Sequence, residues 1–191
     1  METGISKKLF RKTVLHYRQL LFDDEFEKRN SNLMNSLLSF LNEKQFDSLH
    51  TFLPIAKNKE PNIQANLPQL WKRNIQVITS KTDFAQKRMT NYLLNSETGI
   101  LTNERGIPEP VDGEEVSIAN LDAILIPLLI ADKQGNRIGY GGGYYDQLLK
   151  ETKAVKIGLC LSDPVDKIVQ TDEWDIPLDH LITPDKIYNY G

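Results

Sequence analysis

A dense group of glycines precedes two tyrosines and an aspartate in the second half of the chain. Five of the chain's eleven glycines fall between positions 135 and 143. The apolar run 121–130 before them predicts a strand, and the residues from Tyr144 onward predict a helix. A strand, a glycine loop and a helix in that order are typical of phosphate sites, because backbone N–H groups and the helix N-terminus face the anion. We therefore predict an anion-binding loop built on Gly139, Gly141, Gly142 and Gly143.

Arg137 lies just before this loop, and its planar guanidinium suits a phosphate or a carboxylate. The loop does not match the common nucleotide fingerprints. A Walker A motif continues with Lys and Ser or Thr, whereas Tyr144 follows the glycines here, and a G-x-G-x-x-G pattern begun at Gly139 also ends on Tyr144. A plain turn with spare glycines is the alternative interpretation, although the glycine density and the arginine favour anion binding.

A second set of cations lies near the start of the chain. Residues 6–22 predict an amphipathic helix, whose apolar face is formed by Phe10, Val14, Tyr17 and Leu21. Lys7, Arg11 and Arg18 form a stripe beside that face. Taken alone, the residues favour a solvated flank of cations whose stems cover apolar surface.

Several further elements must position these groups. Helical patterns alternate with β-rich runs, among them 48–55, 75–79 and 155–161. This alternation predicts an α/β fold, a layered domain with a mostly parallel central sheet flanked by helices, and we expect 1–191 to form a single domain. Because ligands bind at the carboxyl ends of such strands, we expect the scattered charged residues to meet at that edge.

Composition excludes several classes of protein. The chain has 191 residues, 40% of them apolar, and a net charge of −3, so it lacks the basic excess of a nucleic-acid-binding protein. No run approaches the ~18 apolar residues of a membrane span. The one cysteine, Cys160, excludes a disulfide within the chain, which favours a cytoplasmic location. We expect a monomer or a weak homo-oligomer without nucleic-acid or membrane partners.

The glycine segment carries a longer resemblance. The run G-x-R-I-G-x-G-G-G-Y-Y-D, from Gly135 to Asp146, resembles the signature of the 5-formyltetrahydrofolate cyclo-ligase family, also called 5,10-methenyltetrahydrofolate synthetases. The similarity extends over nearly the whole chain. It implies ATP-dependent conversion of 5-formyltetrahydrofolate to 5,10-methenyltetrahydrofolate, with release of ADP and phosphate. The formyl oxygen would be phosphorylated, and folate N10 would then close the ring.

The resemblance also implies roles for individual residues. Lys7 and Arg11 stand at the positions of an N-terminal K-x-x-x-R element that contacts ATP phosphates. The implied ATP-binding set is Lys7, Arg11, Arg137, Gly139, Gly141, Gly142, Gly143, Tyr144 and Tyr145. Arg137, Tyr144 and Tyr145 would serve catalysis, and Glu60, Glu109 and Tyr144 would line the folate pocket. Asp146 and Asp175 would hold Mg²⁺. Trp174 replaces a histidine of the family pattern.

Two other functions fit parts of the sequence. A sugar-phosphate isomerase or an acyl-CoA transferase could also use an α/β fold with a glycine phosphate loop, but it would need neither ATP nor a metal ion. A non-catalytic nucleotide or folate sensor would bind ATP without turnover. The pair Asp146 and Asp175 argues against a sensor, since binding alone has less need of two metal carboxylates.

Overall fold

A computed structural model describes residues 7–168 and 171–191. The α-helices there are α1 (Lys7–Gln19), α2 (Asp23–Lys44), α3 (Leu67–Lys72) and α4 (Tyr144–Leu148). The strands are β1 (Ser48–His50), β2 (Gln76–Asp83), β3 (Arg88–Leu93), β4 (Ile100–Thr102), β5 (Pro108–Pro110), β6 (Ala123–Pro127), β7 (Ile130–Ala131), β8 (Arg137–Ile138), β9 (Val155–Leu159), β10 (His180–Ile182) and β11 (Ile187–Asn189). Single 3₁₀ turns occur at Ala56–Asn58, Gln64–Asn66 and Leu149–Glu151.

Seven strands form one twisted sheet in the order β11-β10-β9-β6-β1-β2-β3. The five inner strands are parallel, and only the edge strands β3 and β11 run antiparallel to their neighbours. The chain extends the sheet in one direction from β1 to β2, and in the other direction from β6 through β9. The order therefore reverses between β1 and β6, and the crevice at such a reversal is where open α/β sheets bind ligands.

The sheet is covered on both faces, which is expected for parallel strands. Along β6 the buried side chains alternate between two cores. Leu125 packs on one face with residues of α2 and α3, while Ile124 packs on the other with Leu148 of α4. The predicted class, a layered α/β domain with a mostly parallel sheet flanked by helices, is confirmed.

A small ribbon between β6 and the glycine loop was absent from the sequence prediction. Strands β7 and β8 pair antiparallel, and the turn between them is organised by the buried Asp132. Its carboxylate accepts hydrogen bonds from the N–H groups of Gln134, Asn136 and Ile168 and from the Asn136 side chain. Helix α1 docks on this ribbon through Phe10 and Val14.

Other boundaries also differ from the predictions. The predicted helix 6–22 is observed as α1, which ends at Gln19, and Ser6 lies outside the described residues. The predicted strand 48–55 ends at His50, after which the backbone turns away to form a loop. After β9, Val165 forms an isolated parallel bridge with Asp132. Among 7–168 and 171–191, none of the helices combines the length and apolar content that a bilayer crossing requires.

Candidate active site

The glycine loop has a backbone shape that only glycine adopts without strain at two positions. Gly141 and Gly143 have φ values of +93° and +73°. At Gly142, a Cβ atom would lie 2.6 Å from the Tyr144 ring, so the missing side chain allows that ring to pack on the loop. Helix α4 has only five residues, so its dipole adds less than predicted. The loop amides and nearby cations therefore dominate the positive potential here.

Arg137 is placed beside the loop by strand β8, and 7% of its side chain is exposed. Its Nη2 atom donates to Asp146 Oδ1 at 2.6 Å, and its Nη1 atom donates to the Ile176 carbonyl. The Ile176 N–H also donates to Asp146 Oδ1, at 3.4 Å. Arg137 thus connects the β7–β8 ribbon, helix α4 and the segment that follows Asp175.

Helix α1 brings two predicted phosphate ligands to the same place. Arg11 Nε donates to the Gly139 carbonyl at 3.1 Å, and its guanidinium packs over Gly141. Lys7 Nζ lies 2.6 Å from Asp172 Oδ2 and 2.9 Å from Asp175 Oδ2. Burial lowers the pKa of Lys7, but the hydrogen bonds to Asp172 and Asp175 outweigh it and leave the pKa raised.

The contacts that raise the pKa of Lys7 lower the pKa of Asp175. Burial raises the pKa of Asp175, but the Asp172 N–H, the Lys7 ammonium and the charge of Arg137 outweigh this effect and lower the pKa. The carboxylate is therefore held in its ionised form. Ionised oxygen ligands are what a hard divalent cation requires.

Glu60 lies in the loop after β1 and is only 3% exposed, although a lone loop glutamate is usually solvated. Its Oε2 atom accepts the Ile55 N–H at 2.6 Å. Burial raises the pKa of Glu60, while the Ile55 N–H, the Tyr140 hydroxyl and the charge of Arg18 act to lower it. A buried carboxylate at a cavity surface is poised to bind a donor group of a ligand.

These residues line one cavity of about 760 Å³ at the carboxyl ends of β6, β1 and β2. Apolar and aromatic side chains form part of its wall: Phe52, Phe84, Met89, Ile107, Tyr144 and Trp174. Six cations line it: Lys7, Arg11, Lys57, Arg105, Arg137 and Lys150. Four carboxylates line it: Glu60, Asp146, Asp172 and Asp175. The excess of cations favours an anionic ligand.

The two tyrosines at the start of α4 form different parts of this wall. The Tyr144 ring meets the edge of Phe84, with ring centroids 5.9 Å apart, and Arg105 lies 3.9 Å from the Phe84 centroid. Tyr145 packs inward against the His50 ring, 6.1 Å away. Burial and the charge of Glu60 raise the pKa of Tyr145 against the opposing charge of Arg137, so its hydroxyl stays protonated at neutral pH.

The structure brings together every predicted site residue except Glu109. Glu109 lies on β5, is 7% exposed, and directs Oε1 to the Thr82 N–H at 2.9 Å. Glu109 is not among the residues that line this cavity, and its role in folate binding stays a prediction. Its neighbours Ile107 and Pro108 line the cavity instead.

The two predicted metal ligands, Asp146 and Asp175, would form a Mg²⁺ site only together with oxygen atoms of a bound phosphate and of water. Within residues 7–168 and 171–191, no group of three or more His, Cys, Asp or Glu residues is arranged to hold a metal ion. Asp146 and Asp175 nevertheless face one cavity, and the described hydrogen bonds fall on Oδ1 of the former and Oδ2 of the latter. Two carboxylates completed by phosphate oxygens and water are a usual Mg²⁺ set.

Three polar residues of the site escaped the sequence prediction. Arg18 is 8% exposed rather than solvated, Tyr140 lies within the glycine loop, and Asp172 shares Lys7 with Asp175. The spacing of Lys7, Arg11 and Arg18 did contain a signal, because all three fall within ~40° on one face of a helix at 100° per residue. The prediction of a cation stripe was right, but the assignment of Arg18 to a solvated flank was wrong.

The family model and the similar proteins all point to the same family. Residues 4–184 match the model of the 5-formyltetrahydrofolate cyclo-ligase family. The chain is 30% identical over 139 residues to the 5-formyltetrahydrofolate cyclo-ligase of Escherichia coli strain K12, covering 69% of this chain and 75% of that protein. Over 181 residues it is 25% identical to the Mycoplasma pneumoniae cyclo-ligase, covering 93% of this chain and 98% of that protein.

Two solved structures share the fold. The solution structure of Aquifex aeolicus 5,10-methenyltetrahydrofolate synthetase superposes with a TM-score of 0.84 at 31% identity, covering 97% of this chain and 93% of the other. The 5,10-methenyltetrahydrofolate synthetase of Mycoplasma pneumoniae superposes with a TM-score of 0.74 at 22% identity, covering 94% and 99%. The latter likeness concerns the fold alone.

Proposed function

The chain belongs to the 5-formyltetrahydrofolate cyclo-ligase family, and we propose that it converts 5-formyltetrahydrofolate to 5,10-methenyltetrahydrofolate with the use of ATP. One observation carries this proposal. The glycine loop, the cations of α1 and the buried Glu60 come from separate parts of the chain and line the same cavity. A cavity that offers both a phosphate cradle and an acidic pocket suits two substrates that must react with each other.

The triphosphate of ATP binds at the glycine loop. Backbone N–H groups from Gly139 to Gly143 donate to its oxygens, while Lys7, Arg11 and Arg137 balance its negative charge. Asp146 and Asp175 would hold Mg²⁺, which would neutralise part of the charge on the phosphate oxygens. Lys7 and Asp175 are ion-paired to each other, so phosphate and metal binding provide each of them with a new partner.

The folate occupies the rest of the cavity. Its pterin ring packs against the apolar wall of Phe84, Met89 and Tyr144, and its amine donors face the carboxylate of Glu60. Both substrates are then held with the formyl group next to the terminal phosphate. Holding both substrates in this arrangement replaces the encounter of two free molecules in solution, and it supplies a large share of the rate enhancement.

The reaction balances without an enzyme nucleophile. The formyl oxygen forms a bond to the γ-phosphorus, the bond from phosphorus to the bridging oxygen breaks, and ADP leaves. The N5-iminium phosphate is then attacked at its carbon by N10. N10 loses its proton, the bond from carbon to the phosphorylated oxygen breaks, and inorganic phosphate departs with the original formyl oxygen. Phosphorylation is needed because an amide oxygen is a poor leaving group.

The residues of this chain stabilise the charge that moves in these steps. Arg137 is fixed by Asp146 and Ile176, so its guanidinium needs little reorganisation when charge develops on the transferred phosphoryl group. The Tyr145 hydroxyl stays protonated because burial raises its pKa, so it can donate a hydrogen bond to a substrate oxygen. Tyr144, packed on Gly142, closes the cavity beside the transferred group. Cys160 is not suited to covalent catalysis, since burial raises the pKa of its thiol and the thiolate is the nucleophilic form.

The activity is tested by mixing the purified protein with 5-formyltetrahydrofolate, ATP and Mg²⁺ and following the near-ultraviolet absorbance of the methenyl product. We expect the absorbance band to grow only when all three are present. ATP binding without product would make the chain a sensor. ATP-independent turnover of a sugar phosphate would instead favour the isomerase alternative.

A further inference from the structure

Trp174 presents a large apolar ring where the cavity meets solvent. The residue lines the cavity and is 64% exposed. The chain's other tryptophan, Trp71, is half-buried against the core and donates its Nε1–H to the Leu94 carbonyl. An indole as exposed as that of Trp174 contributes little to the core, so most of its ring surface is open to a ligand.

A short turn fixes the position of this ring. The Asp175 N–H donates to the Asp172 carbonyl at 3.0 Å, and the Asp172 N–H donates back to Asp175 Oδ2 at 2.9 Å. Both carboxylates also bind Lys7 Nζ, at 2.6 Å and 2.9 Å. Trp174 is therefore anchored directly beside the cation that would bind phosphate and the carboxylate that would bind Mg²⁺.

Helix α1 shows the order of the sites along the cavity. Lys7, at its start, contacts the 172–175 turn. Arg11, one helical turn later, contacts the glycine loop. Arg18, near the end of the helix, donates to a carbonyl of the loop that carries Glu60. At ~1.5 Å per residue, Lys7 and Arg18 lie about 16 Å apart along the helix axis. The turn and the Glu60 pocket are therefore at opposite ends, with the glycine loop between them.

A nucleoside triphosphate carries its reactive phosphate and its base at opposite ends. In the proposed function, the γ-phosphate meets the formyl group of the folate, which lies toward Glu60. With the triphosphate on the glycine loop, the ribose and the base extend away from Glu60 and toward the 172–175 turn. The rings of the folate lie on the other side of the transferred phosphate. The ring that reaches Trp174 is therefore the base of the nucleotide.

We propose that Trp174 is a specificity-determining residue that binds the adenine base of ATP by stacking on it. The inference rests on the proposed function, and it adds a contact with the base to the contacts with the phosphates. Stacking of a base on an aromatic side chain changes affinity about five- to 150-fold. A purine offers a larger face than a pyrimidine, so the site should favour purine nucleotides.

Trp174→Ala removes the ring and leaves the carboxylates of the turn in place. Dissociation constants are measured by calorimetry in the presence of Mg²⁺ with two probes, a non-hydrolysable ATP analogue and inorganic triphosphate, which lacks the base. We expect Trp174→Ala to bind the ATP analogue at least about fivefold more weakly than the wild type. Its affinity for triphosphate should be unchanged. Trp174→Phe, which keeps an aromatic face, should recover most of the affinity for the analogue.

Tyr17→Ala is the matched control. Tyr17 is an aromatic residue of similar exposure, 68%, and it lies on α1 outside the cavity lining. Its substitution should leave the affinity for both probes at the wild-type value. Unchanged affinity of Trp174→Ala for the ATP analogue would overturn the inference. An equal loss of affinity for both probes would also overturn it, because the turn rather than the base contact would then be responsible.

Fluorescence provides a second readout, because Trp174 and Trp71 are the only tryptophans of the chain and Trp71 is outside the cavity lining. A stacked base should quench the emission of Trp174. The ATP analogue should therefore reduce the emission of the wild type, and inorganic triphosphate should not. In Trp174→Phe the quenching should be lost. Quenching that persists in Trp174→Phe would contradict the proposed contact.

The folate is the other planar ligand, and its binding is measured with the same variant. The affinity of Trp174→Ala for 5-formyltetrahydrofolate alone should equal that of the wild type. A loss of folate affinity with unchanged affinity for the ATP analogue would assign the ring to the folate and overturn the inference.

The two proposals fail in different ways. If the wild type binds neither the ATP analogue nor triphosphate, the proposed function fails at its nucleotide site and the inference fails with it. If the wild type forms the methenyl product with ATP while Trp174→Ala binds the analogue as tightly as the wild type, only the role of Trp174 is refuted.

Discussion

Lys7 Nζ lies 2.9 Å from Asp175 Oδ2, so a predicted phosphate ligand and a predicted metal ligand are ion-paired with each other. Asp172 shares the same ammonium at 2.6 Å. Because these opposite charges are paired before substrate binds, neither is left both desolvated and unpaired, which would destabilise the fold. They also make the binding of a metal–nucleotide complex an exchange of partners, in which phosphate replaces carboxylate around Lys7.

Replacement of Lys7 by methionine tests this exchange. We expect the KM for ATP to rise about tenfold or more, since a partly buried cation is lost from the phosphate site and one interaction with a charged group contributes ~1.5–3 kcal/mol. The adjacent, exposed Lys8 provides the control as Lys8→Met. Steady-state kinetics with varied ATP measure the effect, and equal KM values for the two variants would contradict a phosphate role for Lys7.

Asp146→Asn tests the carboxylate that pairs with Arg137. The amide oxygen can still accept the hydrogen bonds of Arg137 and the Ile176 N–H, so we expect the fold to survive. The lost charge should lower kcat by at least about 100-fold at saturating Mg²⁺ and ATP. Asp166→Asn removes an exposed carboxylate paired with Lys133 and should have no such effect. Near-normal turnover by Asp146→Asn would refute the metal-binding role.

Gly141→Ala tests the shape of the glycine loop. An alanine at a φ of +93° costs ~1–2 kcal/mol, and its Cβ atom would also lie 3.1 Å from Arg11 Cζ. We expect the melting temperature to fall by ~2–8 °C and the KM for ATP to rise. Gly143→Ala carries a similar backbone cost at a φ of +73° but meets no atom within 4 Å.

The difference between the two glycine variants isolates the contact with Arg11. Gly141→Ala should be the less stable of the two by differential scanning calorimetry. Equal melting temperatures would mean that Arg11 moves aside without loss.

His50 should make stability depend on pH. It is fully buried, and burial lowers its pKa to about 3, whereas the unfolded chain titrates near 6.5. Between these values the unfolded state binds more protons, so the free energy of unfolding rises with pH by up to about 1.4 kcal/mol per pH unit. This stability is present above pH 6.5 and is lost as the pH falls toward 3.

His50→Asn checks this expectation, since asparagine retains a polar group near Ser80 Oγ, which lies 2.6 Å from the histidine Nε2 atom. Urea unfolding between pH 4 and pH 7 should show a shallower pH slope in His50→Asn than in the wild type. The exposed His16 gives the control as His16→Asn. Parallel slopes in the wild type and His50→Asn would mean that another group governs acid unfolding.

The sequence predicted the elements with strong patterns and missed those fixed by a few contacts. The apolar run of β6 and the glycines after it were sufficient to predict the unit that contains the loop. The β7–β8 ribbon has only two residues per strand, too few for an alternating pattern, and it depends on hydrogen bonds of the buried Asp132. No local pattern indicates such a turn.

Burial of charged side chains was the other quantity that the sequence could not supply. Arg18 and Glu60 occupy positions where solvation is usual, and they are buried because α1, the β1 loop and the glycine loop meet there. Glu109 is a related case, since the resemblance implied a folate contact, whereas its carboxylate accepts the Thr82 N–H and is not part of the cavity lining. The extent of the domain, the oligomeric state and a cytoplasmic location stay predictions.

The central claim is that the formyl oxygen itself is phosphorylated, and an isotope label tests it most directly. The protein is given 5-formyltetrahydrofolate labelled with ¹⁸O at the formyl oxygen, together with unlabelled ATP, Mg²⁺ and water. Mass spectrometry of the released phosphate should find one ¹⁸O atom for each methenyl product formed. Methenyl product accompanied by unlabelled phosphate would mean that ATP hydrolysis and ring closure proceed separately, and the proposed mechanism would then be wrong.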